Sequence, residues 1–419
     1  MSSVATYYAK LRGKYPGQFW LMFAGMLIST IGTSMVWPFL MIYTTKNLGL
    51  SLTLATSLMS VNAFMGVLAS FVAGPLVDRI GRKGVLVFSL FGNGLVYFLY
   101  GQAGNAWQMG ALMAMSGIFN PIYRLSSDAM MADLIPEQDR PDAYALMRMS
   151  HNLGIAIGPI IGGLAVSISY GIAFASAAVG LCIFGLLLFV FARESMPGLA
   201  PDALAVNGQP GSPRREPLGG YGRMLGDRKF LIFNLAVVLM TICASLIWVV
   251  MPVHANSQYG IRESTYMLLP TTNALMVVVF QVLVTRQTKK YRPLPVLAAG
   301  SLIYAAAVSS VALARGFSGF WVSMVLMTLG ELILVPTATT HAANLAPADM
   351  RGRYMSLYSL TWPAASGTGP LIGGILADSV GPFAPWLAGG VSGILASLTF
   401  WLLARRSPAV KQPTPGEVL

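Results

Sequence analysis

Residues 132 to 163 are written a second time at 343 to 374, so the chain folds into something that can be built twice. The first copy reads ADLIPEQDR and then GPIIGG; the second, 211 positions later, reads ANLAPADMR and then GPLIGG. Pro136/Pro347, Arg140/Arg351, Gly158/Gly369, Pro159/Pro370, Gly162/Gly373 and Gly163/Gly374 are in register. The same offset, without a gap, aligns Phe19 with Phe230, Thr30 with Thr241, Ser34 with Ser245, Trp37 with Trp248, Gly49 with Gly260 and Asn62 with Asn273. Single matches in an apolar background are cheap, but a polar, Trp and Gly set that keeps one register across both halves marks a duplication.

The repeated unit is built for lipid. Hydrophobic residues make up 55% of the chain and charged residues 10%, and the apolar stretches are longer than buried helices of a soluble core. Segments of spanning length are expected at 19–43, 52–77, 84–101, 106–128, 143–169 and 171–192, then at 230–254, 265–285, 294–314, 317–340, 353–377 and 382–404. Six spans return the chain to its starting side, so the two copies are parallel repeats about an axis along the membrane normal. The expected organisation is a first bundle at 1–192, a polar linker at 193–228 carrying GQPGSPRREP, a second bundle at 229–405 and a tail at 406–419.

Orientation follows from Lys and Arg. With the N-terminus inside, 24 basic residues fall on the inner side, and only Lys46, Arg262 and Arg315 on the outer. Both termini are expected in the cytoplasm and the protein in the cell membrane. The net charge of +12 then reflects topology, with no need for a nucleic-acid partner. The apolar run after Lys14 is too long for a signal-peptide core and lacks a small-residue cleavage site, so it is expected to stay as the first span. Cys182 and Cys243 lie in spans of different halves, which makes a disulfide unexpected.

Between the second and third spans the chain reads Gly74-Pro-Leu-Val-Asp78-Arg79-Ile-Gly81-Arg82-Lys83. This resembles the signature loop of the major facilitator superfamily, with every fixed position filled. The resemblance implies an all-α membrane fold of two six-helix bundles, twelve transmembrane helices in all, related by a pseudo-two-fold axis. It also implies that this loop latches the halves on the cytoplasmic side in one state. Its glycines permit a tight turn, and Asp78 can hold a basic neighbour or face a helix N-terminus of the other half. The equivalent stretch of the second half, Thr285 to Arg292, lacks the acid and both glycines.

In the fifth span Gly154, Gly158 and Gly162 fall four apart, a flat stripe for close helix approach, while Pro159 removes a backbone hydrogen bond. With Gly163 they form NLGIAIGPIIGG, which is similar to the motif of the drug:proton antiporter branch of that superfamily. The branch usually carries an Arg four residues before a Gly in the fourth span; here Met113 precedes Gly117. Arg124, seven residues beyond Gly117, is on nearly the same helix face, and Asp128 follows at i+4, where it can pair with it.

Glu331, in MVLMTLGELILVP, is the one acid near the middle of an expected span. An ionised acid at that depth costs roughly 2.5 to 3.5 kcal/mol on insertion scales, so it should face a cavity or hold a proton. Asp142 opens the fifth span, where an acid suits the helix N-terminus, and Arg148 and His151 lie one and two turns further in. The expected proton-coupling set is Glu331, Arg124, Asp128, Asp142, Arg148 and His151. The matched residues Thr30, Ser34, Trp37, Thr241, Ser245 and Trp248, with Asn62, Asn120, Asn152, Asn273 and Trp362, are expected to line a central substrate cavity. The two matched tryptophans read equally well as interface anchors. The 24 methionines suit a forgiving apolar pocket.

No catalytic constellation, metal-ligand spacing or phosphate loop stands out. The expectation is therefore a monomeric, non-enzymatic secondary transporter without metal or organic cofactor, its partners a small-molecule substrate, the lipid bilayer and a coupling proton. Proton-driven export of small amphiphilic or drug-like molecules is the favoured activity. Flipping of a lipid or glycolipid, export of a sugar, and a non-transporting sensor are the alternatives.

Overall fold

The computed structural model describes residues 14–136, 139–196, 224–347 and 350–406. Most of the expected linker and all but the first residue of the expected tail lie outside them. In the first half the helices are α1 (Gly17–Lys46), α2 (Leu52–Ile80), α3 (Arg82–Tyr100), α4 (Ala106–Leu134), α5 (Arg140–Ile168) and α6 (Tyr170–Phe191). The second half holds α7 (Arg228–Val249), α8 (Met251–Tyr259), α9 (Glu263–Tyr266), α10 (Leu268–Thr288), α11 (Pro293–Val311), α12 (Gly316–Leu345), α13 (Arg351–Ser359), α14 (Thr361–Ser379) and α15 (Ala384–Arg406). Val250, Met267 and Leu360, the single residues between α7 and α8, α9 and α10, and α13 and α14, keep right-handed helical backbones, so these fifteen helices make twelve passes.

The duplication is visible in the backbone. Helix α3 and helix α11 begin and end 211 residues apart, as do α5 and the α13–α14 pass. Gly49 and Gly260, in register in the sequence, both have left-handed backbones, at φ +65° and +61°, a conformation glycine adopts without steric cost. Polar side chains start several helices: Ser51 accepts from the Leu54 amide at 3.2 Å, Asn105 from Gln108 at 3.0 Å and Asp227 from Phe230 at 3.1 Å.

Packing repeats as well. In the first half α1 packs on α5 and α6, α2 on α4, and α3 on α4 and α6; in the second, α7 packs on α14 and α15, α10 on α12, and α11 on α12 and α15. The halves meet along α2–α14 and α5–α10, each the image of the other under the repeat. Large apolar side chains such as Phe88, Leu95 and Phe98 on α3, Leu186 and Phe189 on α6, and Leu387, Val391 and Leu398 on α15 are exposed, a surface suited to lipid. Ten of the described helices are long and apolar enough to cross a membrane; α4 and the α13–α14 pass do not meet that criterion.

Two expectations change. The loop between the second and third spans is almost absent: α2 runs to Ile80, α3 starts at Arg82, and Gly81 alone makes the connection. Gly74 and Arg79 therefore belong to the end of a helix, and a Cβ on Gly74 would meet nothing within 4 Å, so no turn demands that glycine. The second change is continuity: α5 continues as a helix through Pro159, whereas the seventh, eighth and eleventh passes are each interrupted.

Candidate functional site

Glu331 lies halfway along the 30 residues of α12 and is half-buried. Its Oε2 accepts from Asn273 Nδ2 on α10 at 2.7 Å. The same nitrogen donates to Thr328 Oγ1, one turn from Glu331, at 3.0 Å, and Thr328 passes its own proton to the Met324 carbonyl at 2.8 Å. Asn273 and Thr328 are buried. Tyr304 of α11 packs against Gly330, where a Cβ would come within 2.5 Å of its ring, and its hydroxyl shares an electrostatic field with Glu331. A second tie between α10 and α12 runs from Gln281 Nε2 to the Leu332 carbonyl at 3.0 Å. Arg148 of α5, in the other half, contributes to the electrostatics at Glu331.

The first half carries a neutral version of this arrangement. Asn120, 211 positions before Glu331, accepts through Oδ1 from Asn93 Nδ2 at 2.7 Å. Asn120 also donates to Ser116 at 3.2 Å. Asn93 stands 211 positions before Tyr304. Both halves thus place a hydrogen-bonded carbonyl-type oxygen at one point of the repeat, and one half makes it ionisable.

Of the other proton-coupling candidates, Arg148, His151, Arg124 and Asp128 are exposed. His151 Nδ1 lies 3.3 Å from Thr30 Oγ1, and Arg148 acts electrostatically on it. Arg124 and Asp128 feel each other's charge, yet among the described residues no ion pair within 4 Å joins them. Asp142 does not join the site. With Asp139 it holds Lys14, at 2.9 and 3.0 Å, and the two carboxylates, Asp142 first, raise the Lys14 ammonium above its ordinary range. This fastens the segment before α1 to the start of α5.

The cavity set needs a larger correction. Thr30, Thr241 and Ser245 are buried and Ser34 is half-buried, and Thr30, Ser34 and Ser245 sit in helix seams. Ser34 Oγ donates to the Gly154 carbonyl at 3.0 Å. A Cβ on Gly154 would lie 2.7 Å from Thr30, one on Gly158 1.8 Å from Ser34 Oγ, and one on Gly162 2.3 Å from the Met35 carbonyl. The glycine stripe is the α1–α5 seam. Gly369 meets Ser245 in the same way at 2.4 Å, which makes the α7–α14 seam its repeat. Asn62 ties α2 to α4 through the Met113 carbonyl at 2.8 Å. Trp37 and Trp362 are exposed, and Asn152 and Trp248 half-buried. Gly163 faces the other half, where its Cβ would lie 2.7 Å from Met267 Sδ. Cys182 and Cys243 are both free.

At the basic end the turn at Gly81 is held within its own half. Gly81 has φ +109°, and a Cβ there would lie 2.6 Å from Glu194 Oε2. The Glu194 carboxylate accepts from the amides of Arg82 at 2.9 Å and Lys83 at 3.1 Å, which is where a carboxylate favours a helix N-terminus. Arg82 Nε donates to Asp133 at 3.1 Å. Sequence reasoning assigned the holding acid to Asp78, whose side chain lies outside the described part of the structure. The signal it passed over is a lone acid, Glu194, directly after the basic end of the sixth span.

The opposite end carries the polar links between halves. Glu263 of α9 accepts from Tyr170 Oη at 2.8 Å and lies 3.8 Å from Lys46 Nζ. Asp378 of α14 accepts from the Thr53 amide in the first turn of α2 at 2.7 Å, and Ser60 donates to the Gly367 carbonyl. Gly374 packs against Thr56 and Leu52. A pocket of about 320 Å³ adjoins them, lined from both halves by Ser51, Leu52, His254, Gln258 and Asp378 among others. The polar links between halves named above all lie at this end, while Arg148, His151 and Arg124, towards the basic end, are exposed.

Comparison with known proteins settles the family. The profile of the Major Facilitator Superfamily matches residues 22–243 and again residues 233–418, one match for each half. The chain belongs to the Major Facilitator Superfamily. Its relatives are transporters, so it is not an enzyme. A Na(+), Li(+), K(+)/H(+) antiporter of Planococcus maritimus is 26% identical over 85% of this chain and 87% of its own. Multidrug resistance protein MdtH of Cronobacter sakazakii is 24% identical over 96% of both. Among solved structures, a POT family transporter in complex with a thioalcohol-conjugated peptide has the same fold, with a TM-score of 0.77 at 16% identity over 93% of this chain and 96% of that one.

Proposed function

We propose that this superfamily member exports small amphiphilic, drug-like molecules in exchange for protons, with Glu331 as the coupling acid. The observation that carries the reading is the Glu331 carboxylate itself, halfway along its helix and hydrogen-bonded to Asn273. An acid so placed is tolerated in a membrane when it works on a proton or a ligand. The similarity to a multidrug resistance protein and to a cation/proton antiporter supports exchange. Residues 1–192 and 229–405 are the two moving bodies, 193–228 the linker and 406–419 a tail. In this reading the basic end is cytoplasmic, so the end joined through Glu263 and Asp378 is the outer one. One proton moving down 100 mV supplies about 2.3 kcal/mol to each cycle.

The test is a proteoliposome carrying an imposed pH gradient, with ethidium as a cationic and a dialkyl ether as a neutral amphiphile, and a trapped pH dye to follow protons. Proton efflux that depends on amphiphile, lost in Glu331→Gln, supports the reading; amphiphile movement indifferent to the gradient refutes it. The similarity to an alkali-cation antiporter favours a second reading, exchange of Na+ for protons. Collapse of the gradient by Na+ alone, with no response to either amphiphile, would install that reading in its place.

A further inference from the structure

Glu331 has two carboxyl oxygens, and the surroundings treat them differently. Oε2 receives Asn273 Nδ2 at 2.7 Å, while Oε1 makes no hydrogen bond among the described residues. The orientation of the Asn273 amide is fixed from its other side. Thr328 has a single hydroxyl proton, and it goes to the Met324 carbonyl at 2.8 Å, so Thr328 meets Asn273 as an acceptor at 3.0 Å. Turned over, the amide would aim its oxygen at the Thr328 oxygen and at the carboxylate together, unless Thr328 gave up Met324. Asn273 is 5% exposed and Thr328 fully buried, so water does not stand in for a lost partner.

We propose that Asn273, oriented by Thr328, keeps Glu331 Oε2 a permanent acceptor, so that the exchangeable proton is taken up and released on Oε1. This rests on the reading of Glu331 as the coupling acid and deepens it. The proton moves between Oε1 and water of the cleft; no other bond forms or breaks. Beside the carboxyl group are Asn273 from α10 and Thr328 on its own helix, Tyr304 from α11 packs on the neighbouring Gly330, and the charges acting on the group include Arg148 of α5. A cargo atom that reaches Glu331 therefore meets the oxygen the proton uses, and the two exclude one another at one atom. Asn273 is a positioning residue in this scheme and touches no cargo.

Thr328→Val tests it, because the isosteric change removes the acceptor that orients the amide. The amide is then free to turn its oxygen towards a protonated Glu331, which favours the protonated form. The midpoint of the pH profile of coupled transport is expected to rise by roughly one unit, a tenfold change in proton affinity for about one neutral hydrogen bond. The infrared carbonyl band of protonated Glu331, identified by its loss in Glu331→Gln, is expected to move with it, and Thr328→Ser to restore both. Thr328→Ala serves if the valine variant does not fold. An unchanged midpoint and band in a variant lacking the hydroxyl overturns the assignment to Oε1, even where Glu331→Gln abolishes coupling. Normal coupling in Glu331→Gln overturns the parent reading instead.

Discussion

Glu331 and Asn120 occupy one point of the repeat, and their difference decides where a proton can bind. Glu331→Gln is expected to keep binding of neutral cargo, to abolish transport driven by a pH gradient, and to spare counterflow, which needs no net proton movement; parallel flux measurements in proteoliposomes check all three. The place of Glu331 halfway along a helix was legible, because the apolar run around it sets the span. The role of Asn273 was not, since nothing in the order of residues says that Thr328 and Glu331, 55 and 58 positions away, share its amide. Thr30, Ser34 and Ser245 lie in helix seams for a physical reason. Agreement between the copies marks what both halves need, and what both need is a tight seam between their first and fifth passes. A cavity that must hold one asymmetric cargo gains nothing from matched walls.

Helix seams make sharper forecasts than helix ends. Gly158→Ala sets a methyl group 1.8 Å from Ser34 Oγ, an overpacking expected to cost about 1–3 kcal/mol. Gly74→Ala meets nothing within 4 Å and is expected to leave stability unchanged or slightly raised. Thermal unfolding of the two variants in one detergent compares them, and equal loss of Tm would contradict the seam. Gly81→Ala combines a φ of +109° with the Glu194 carboxylate at 2.6 Å, and it is expected to lower the Tm as well. The sequence pattern located these elements to within a few residues because apolar length is a strong signal. It missed the near fusion of α2 and α3, because a run of charges and glycine reads as loop whether or not the backbone hydrogen bonds continue through it.

At the scale of the whole molecule, the halves are joined at one end by two carboxylates that the second half lends to the first. Asp378→Asn with Glu263→Gln weakens that closure, and hydrogen bonds of this kind contribute about 1 kcal/mol each. Together they make about 2 kcal/mol, so the population open at that end is expected to rise by more than tenfold. Spin labels on the basic ends of α5 and α10 should report a larger share of short distances, and an unchanged distribution would show that packing alone holds the end shut. Interruption of the seventh, eighth and eleventh passes had a signal in the sequence, since Val250, Met267 and Leu360 are followed two or three residues on by Pro252, Pro270 and Pro363, each of which removes a backbone donor. A last consequence comes from the ten helices that qualify as spans on their own. Helix α4, with Asn120, Arg124 and Asp128 along it, is not among them. During synthesis such a segment is expected to gain from packing on α2 and α3, which precede it in the chain and flank it in the finished fold. The order in which the ribosome delivers the helices, partners before the polar one, is then part of how this protein comes to exist.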